Sequence, residues 1–304
     1  MKSILQYIAD YFRTIHKGIL IIVSLFTGAL VFSNYTFGID QAIQKNNSLP
    51  VKLILWYAVF LLAFGFPYLL YHFTGAAKNR KRPGFLLLLF IAPAIFSLKM
   101  STSFSFTPGS DFESTFWDHI LYWPALLVLI FLVLLIIWKL FDSHYPFYGI
   151  KRTGVNWKPY WILLLLMLPL IAVASTQPDF LAMYPKLQVV AGFNKIESLS
   201  WGQKLLYELS YGTDFFTIEV FFRGFLVLGF MKWAGKDAIL PMACFYCTIH
   251  FGKPAAECIS SYFGGMLLGI IVCNTRSILG GLLVHLGIAW MMEIGGYLGN
   301  QYLN

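Results

Sequence analysis

The sequence predicts an all-α protein, a polytopic bundle of transmembrane helices. Of its 304 residues, 58% are hydrophobic and only 12% are charged, whereas an ordinary soluble domain is about 25% charged. Trp and Tyr are plentiful, with 9 and 17 copies, as expected for side chains that line membrane–water interfaces. We therefore attribute the net charge of +8 to basic loops and expect the lipid bilayer, not nucleic acid, as the surrounding partner.

Apolar runs of spanning length predict about eight or nine membrane spans. A short amphipathic helix at the interface, over residues 4–15, precedes them because its apolar side chains recur on one helical face. The predicted spans lie near residues 18–36, 51–74, 84–99, 119–141, 159–176, 204–231, 238–251, 256–273 and 277–298. The third and the seventh of these runs are short.

Basic residues predict the orientation of these spans. Lys and Arg are more frequent in the loops that lie inside if the N-terminus is cytoplasmic, and the cluster Lys78, Arg80, Lys81 and Arg82 contributes most to this bias. Cytoplasmic loops carry such an excess of positive charge. The sequence therefore predicts a multi-pass protein of the cell membrane with a cytoplasmic N-terminus, and we interpret the cluster as a topology signal.

The composition changes near residue 200. Before this point the spans are rich in Leu, Ile and Phe and contain few ionisable residues, whereas the later spans also contain many small residues. Small residues allow close packing of membrane helices. We therefore predict a helical scaffold over 1–200 and a polar-centred bundle over 201–304. The ionisable residues in or beside its spans are Glu208, Asp214, Glu219, Arg223, His250, Glu257, His285 and Glu293.

Four of these side chains are the main candidates for chemistry. Glu219 and Arg223 lie four residues apart, which places them on one face of an α-helix. Each such charge costs about 2.5–3.5 kcal/mol in a membrane-buried helix. His250 and His285 come from two further spans. Three helices that bring a carboxylate, a cation and two imidazoles into one cavity could activate a water molecule.

The residues around these groups resemble a known family. The run Glu219–Gly224 resembles the ExxxRG core of the type II CAAX protease and bacteriocin-processing family, also called CPBP or Abi. Tyr246 precedes His250 by four residues, as in the family's second motif, and His285 opens a sequence similar to its third motif, HxxxN. The resemblance covers residues 200–298 and keeps the order and spacing of the motifs.

The resemblance implies an intramembrane endopeptidase that acts on a membrane-embedded or lipid-modified peptide. Processing of CAAX termini and processing of bacteriocins are both known in the family. It implies that a glutamate and His250 activate water, that His285 supports the oxyanion, and that Arg223 holds the second glutamate of the first motif.

Two motif positions depart from the family. Ile218 stands where the first glutamate is expected, and Ala289 where the asparagine is expected. Glu219 matches the second glutamate, so it takes the catalytic role only if the helix turns it toward the histidines. Otherwise another acid serves, and we favour Glu257, which opens the span after His250, over Asp214 and Glu293. The predicted catalytic residues are therefore Glu219, Arg223, His250, Glu257 and His285.

Several alternatives remain. A family member without catalytic activity could act as a membrane scaffold or a bacteriocin-immunity protein, with Glu219 and Arg223 as a purely structural ion pair. A zinc ion could be bound by Glu219, His250 and His285, although the sequence makes no cofactor certain. A transporter is disfavoured because no paired half-repeats are visible.

The four cysteines do not predict a metal site. Cys244 and Cys247 form a CxxC sequence, but a zinc knuckle requires polar, turn-rich surroundings and a second pair of ligands. We expect all four cysteines to act as small packing residues.

Overall fold

The computed structural model of the protein describes residues 4–74, 83–107, 112–150, 155–191, 196 and 199–303. Within these ranges every regular element is helical and no strand is present. The predicted all-α class is therefore confirmed. The basic cluster at residues 78–82 lies outside the described residues.

Nine helices with both ends in the described part of the chain precede residue 200. Their bounds are α1 Ile4–Thr14, α2 Lys17–Phe37, α3 Ile39–Gln44, α4 Leu49–Phe73, α5 Pro83–Ser101, α6 Phe112–Phe141, α7 Lys158–Ala174, α8 Pro178–Met183 and α9 Lys186–Ala191, with a 3-10 turn at Phe147–Gly149.

The later part of the described chain begins with α10 and continues directly into a π-helical segment. The bounds are α10 Trp201–Ile218, the π-helix Glu219–Gly229, α11 Met231–Ala234, α12 Ile239–Thr248, α13 Ala255–Thr275 and α14 Leu279–Leu303, with a 3-10 turn at Gly235–Ala238.

Six of the described helices are long and apolar enough to cross a membrane, namely α2, α4, α5, α6, α13 and α14. The seventeen-residue α7 is apolar but shorter. The two remaining predicted spans correspond to α10 with the π-helix and to α12. All nine predicted apolar segments are thus helical, as expected of a multi-pass membrane protein. α12 has only ten residues, and all of them are buried.

The chain divides into two compact units. The first comprises Met1–Thr102, Leu134–Lys151 and Val220–Ile278. Within it α12 packs against α2, α4 and α13. The ring of Phe245 lies 4.9 Å from that of Phe60 and 5.2 Å from that of Phe222. The phenylalanines after Glu219 therefore belong to a buried aromatic core.

A tight corner of the first unit, formed by Tyr148 and Gly149, packs against the π-helix. Tyr148 and Gly149 both have positive φ, 37° and 77°, which is unusual for a bulky residue such as Tyr. A Cβ added to Gly224 would lie 2.8 Å from the carbonyl oxygen of Tyr148. The glycine of the ExxxRG core thus allows the corner to reach the π-helix backbone.

A buried ion pair supports the same corner. Lys232 Nζ lies 2.6 Å from Asp142 Oδ1, and the Tyr148 hydroxyl donates to Asp142 Oδ2 at 3.4 Å. Burial raises the pKa of the Asp142 carboxyl, and the hydrogen bond and charge of Lys232 oppose this rise. Because Lys232 is paired with the Asp142 carboxylate, neither charge is left isolated in the low-polarity interior.

The second unit comprises Ser103–Val133, Arg152–Glu219 and Leu279–Asn304. Within it α14 packs against α7, α8 and α10. The glycines of α14 make these contacts close: Gly280 faces the ring of Tyr160, and Gly287 faces the side chain of Leu164. Small residues at helix contacts bring backbones together in membranes, and here they bring the helix of His285 against its neighbours.

Replacement of Gly224 by alanine tests the close approach of the corner. We expect Gly224→Ala to lower the free energy of unfolding by about 1–3 kcal/mol, because the added methyl overpacks against Tyr148. The measurement is denaturant unfolding of the purified protein in detergent. A Cβ at Gly264 meets no heavy atom of the described residues within 4 Å. Gly264→Ala is therefore the control, with equal or higher stability; an equal loss in both variants would contradict the packing argument.

Candidate active site

Glu219 and His285 form a buried pair in the second unit. Glu219 follows α10, and His285 lies in the second turn of α14. His285 Nδ1 is 3.0 Å from Glu219 Oε1, with side chains 13% and 0% exposed respectively. Two residues 66 positions apart in the sequence are therefore held at hydrogen-bond distance in the interior.

This contact orients the imidazole. An ionised carboxylate can only accept hydrogen bonds, so beside an ionised Glu219 the Nδ1 nitrogen carries the proton and donates the hydrogen bond. In the neutral ring, Nε2 is then the proton-accepting nitrogen. The pair thus combines an oriented imidazole with a carboxylate that stabilises its protonated form.

Aromatic residues of α10 hold the imidazole from the side. The Phe215 ring lies edge-on to the His285 ring with centroids 4.8 Å apart. Tyr211 packs on Phe215 at 4.9 Å. Tyr211, Phe215 and Glu219 follow one another at intervals of four residues, so they share one face of the helix. This face of the helix therefore supplies both the Glu219 carboxylate and the Phe215 ring that contacts His285.

The two positions that depart from the family motifs are apolar and buried. Ile218 is 8% exposed and Ala289 is 5% exposed. Ala289 belongs to the core cluster of Tyr211 and Phe215. These positions therefore carry core side chains where the family motifs carry a carboxylate and an amide.

Arg223 and His250 lie in the first unit and both contact Tyr246. The guanidinium carbon of Arg223 is 4.1 Å from the centroid of the Tyr246 ring, a cation–π distance. The His250 ring lies 4.7 Å from the same ring. His250 Nδ1 lies 2.9 Å from the Tyr246 carbonyl oxygen, which can only accept, so Nε2 is again the accepting nitrogen of the neutral ring.

A glycine of α13 makes room for Tyr246. A Cβ on Gly265 would lie 2.8 Å from Tyr246 Cδ1, so a larger residue there would displace the ring. The sequence identified Tyr246 as the motif aromatic, but it did not reveal that this ring links Arg223 to His250. The spacing of four residues, which stacks Tyr246 and His250 on a helix, was the available signal.

The loop that carries His250 is held by α2, a contact that the sequence did not predict. Asn34 Nδ2 donates to the Phe251 carbonyl oxygen at 3.1 Å, and the Tyr35 hydroxyl donates to the Lys253 carbonyl oxygen at 2.6 Å. Asn34 Oδ1 also accepts the backbone N–H of Asp40 at 3.0 Å. An asparagine in an apolar span was the one signal, because a buried amide needs partners.

Two of the other candidate acids, Glu257 and Glu293, have structural partners. Glu257 lies in the first turn of α13, with Oε1 3.4 Å from Lys253 Nζ in the first unit. Glu293 lies in the second unit, where Oε2 accepts the backbone N–H of Lys186 at 2.7 Å. The catalytic use of Glu257 stays a prediction.

The five predicted residues thus fall into two groups. Glu219 and His285 meet in the second unit, whereas Arg223, His250 and Glu257 belong to the first. That all five share one cavity stays a prediction. No three His, Cys, Asp or Glu side chains gather into a metal site within the described ranges. The possible zinc set Glu219, His250 and His285 draws on both units and stays a prediction.

Comparison with known families supports the predicted resemblance. Residues 207–291 match the family model described as type II CAAX prenyl endopeptidase Rce1-like. This match confirms the resemblance for the part of the chain that contains all three motifs and, at the level of the family, supports a CAAX-type intramembrane protease. Neither the curated proteins nor the solved structures give a match.

Replacement of Asn34 tests how the His250 loop is held. We expect Asn34→Ala to lower the free energy of unfolding by about 1–3 kcal/mol, since it leaves the buried Phe251 carbonyl and the half-buried Asp40 N–H without this partner. Denaturant unfolding in detergent measures the change. The control is Gln44→Ala, an exposed amide that donates to Met100 at 3.4 Å, for which we expect a change within about 0.5 kcal/mol. Similar small changes in both variants would show that Asn34 does not anchor the loop.

Proposed function

We propose that the protein is an intramembrane peptidase of the CAAX type in which Glu219 and His285 activate the attacking water. The observation that carries this proposal is the 3.0 Å contact between a fully buried carboxylate and an imidazole. Both residues stand at motif positions inside the matched region 207–291. A carboxylate that orients an imidazole is a recurrent arrangement for proton transfer in hydrolysis.

The reaction proceeds through proton transfer at Nε2 of His285. Nε2 takes a proton from water while the water oxygen attacks the scissile carbonyl carbon. The Glu219 carboxylate stabilises the imidazolium that forms. The tetrahedral intermediate then collapses, the C–N bond breaks, and His285 returns the proton to the leaving nitrogen. One water is consumed, and an acid and an amine are produced.

This scheme changes the role that the resemblance gives to His285. The resemblance implies that His285 supports the oxyanion, but the hydrogen bond to Glu219 suits a proton acceptor better, because the carboxylate stabilises the positive ring. The roles that the resemblance gives to His250, activation of water with a glutamate, and to Arg223, holding the second glutamate, stay predictions. We keep Glu257 as an auxiliary acid.

The substrate class follows from the surroundings of the pair. Glu219 and His285 lie in an apolar helical bundle whose neighbouring side chains are aromatic and aliphatic. A peptide that reaches them is itself membrane-embedded or lipid-modified. We propose prenylated CAAX termini as the first substrate class and bacteriocin-type peptides as the second. We also propose that the peptidase lies in the cell membrane with its N-terminus in the cytoplasm.

Substitution of the pair tests the catalytic proposal. We expect Glu219→Gln and His285→Ala each to lower the turnover of a prenylated CAAX peptide by about 10²–10⁴-fold, the usual contribution of general acid–base catalysis. The assay uses the purified protein in lipid vesicles. Glu113→Gln and His144→Ala are matched controls because both side chains are exposed, and they should retain the activity. Equal turnover in the wild type and in both pair variants would refute the proposed role.

A second candidate is a family member that binds a peptide without cleaving it, as a scaffold or a bacteriocin-immunity protein. The observation that favours it is the apolar burial of Ile218 and Ala289, which replaces two polar groups of the family motifs. A binding module needs a cavity but no activated water.

Binding and cleavage measured on one sample separate the two functions. The peptidase predicts that a prenylated peptide is both bound and cleaved by the wild type, and that Glu219→Gln still binds it. The scaffold predicts saturable binding without product in every variant, with His285→Ala leaving the affinity within about threefold. Product formation by the wild type that is lost in His285→Ala excludes the scaffold.

A further inference from the structure

Two thiols of the first unit face each other across neighbouring helices. Cys247 lies near the end of α12, and Cys258 lies in the first turn of α13. Their sulfur atoms are 3.9 Å apart, and both residues are fully buried. The segment between them contains His250 and Glu257.

The main chains of the two cysteines also approach each other. Cys247 Sγ donates to the Cys258 carbonyl oxygen at 3.2 Å, and Cys258 Sγ lies 3.6 Å from the Cys247 carbonyl oxygen. Each sulfur therefore contacts the backbone of the other residue. A disulfide requires such closeness, because its sulfurs are about 2.05 Å apart and its Cα atoms about 4.4–6.8 Å apart. The sulfurs at 3.9 Å would have to approach to this bonding distance.

We propose that Cys247 and Cys258 are a dithiol site that hydrogen peroxide converts to an intramolecular disulfide. One thiol attacks the peroxide, the O–O bond breaks, and a sulfenic acid and one water form. The second thiol attacks that sulfur, the S–O bond breaks, and a second water leaves. Two thiols lose two protons and two electrons in all, and the peroxide is reduced to two waters.

A cavity lies beside the loop that joins the two cysteines. The loop between the cysteines lines a cavity of about 130 Å³ together with residues of α2 and α3. Tyr35 lines this cavity, and its hydroxyl donates to the Lys253 carbonyl oxygen at 2.6 Å. Hydrogen peroxide is small enough to enter this cavity beside the loop.

The bridge would tie the end of α12 to the start of α13. Residues 249–254 would then lie in a covalently closed loop. The hydrogen bonds from Asn34 and Tyr35 hold the same loop. A cross-link restricts the open states of the segment that it closes. The disulfide therefore limits the motion of the loop that carries His250, whether or not the protein is a peptidase.

The other two cysteines are internal controls. Cys273 lies on α13 fifteen residues after Cys258, which is roughly 22 Å along the helix. Cys244 lies three residues before Cys247 on α12 and is buried. Replacing both by alanine leaves the proposed pair intact.

The experiment treats the full-length protein in lipid vesicles with hydrogen peroxide, then denatures it and alkylates the remaining thiols. We expect the wild type and the Cys244→Ala/Cys273→Ala variant each to lose two alkylated thiols. Peptide mass spectrometry should show residues 247 and 258 linked, with dithiothreitol reversing the link. Cys247→Ala and Cys258→Ala should each abolish the link. Four alkylated thiols in the oxidised wild type, or a link that includes residue 244 or 273, would overturn the proposal.

Hydrogen exchange tests the effect of the bridge on the loop. We expect the backbone amides of 249–253 to exchange at least several-fold more slowly in the oxidised wild type than in the reduced protein. This comparison uses the wild type alone, so it does not depend on the folding of any variant. Equal exchange in the two forms would overturn the proposed restriction of the loop.

Discussion

The hydrogen bond between Glu219 and His285 places a carboxylate with no exposed surface beside an imidazole in an apolar bundle. A buried charge left alone would cost several kcal/mol, so the carboxylate depends on this donor. The donor in turn depends on α14 lying close to its neighbours, which Gly280 and Gly287 allow through their contacts with Tyr160 and Leu164. The packing of the second unit and the chemistry proposed for it therefore rest on one contact.

In the first unit, an aromatic ring stabilises the buried charge of Arg223. The guanidinium lies over Tyr246, whose own position requires Gly265. The π-electron face stabilises a cation that is withdrawn from water. Tyr246 also fixes His250 through its backbone carbonyl. A single aromatic residue thus relates the first motif to the second, which gives a physical reason for an aromatic residue four positions before the histidine.

Much of this architecture could be predicted from the sequence because hydropathy reports on membrane spans directly. All nine apolar segments are helical. The direct contact of Glu219 with His285 was not predicted, because motifs give the order of residues along the chain and not the distances between them. The sequence did not indicate the π-helix at Glu219–Gly229, since an apolar run looks the same in α- and π-helices. The aromatic side chains and Gly224, which contacts the Tyr148 corner, set its shape through tertiary packing. The hydrogen bonds of Asn34 and Tyr35 were also missed, because they join residues more than 200 positions apart.

A double-mutant cycle on the free energy of unfolding tests the central contact most directly. The cycle compares the wild type with Glu219→Leu, His285→Leu and the double variant in detergent. If the carboxylate and the imidazole share a buried hydrogen bond, the double variant loses less stability than the sum of the single variants by about 1.5–3 kcal/mol. Additive losses within about 0.5 kcal/mol would contradict the account, because residues that do not interact behave independently.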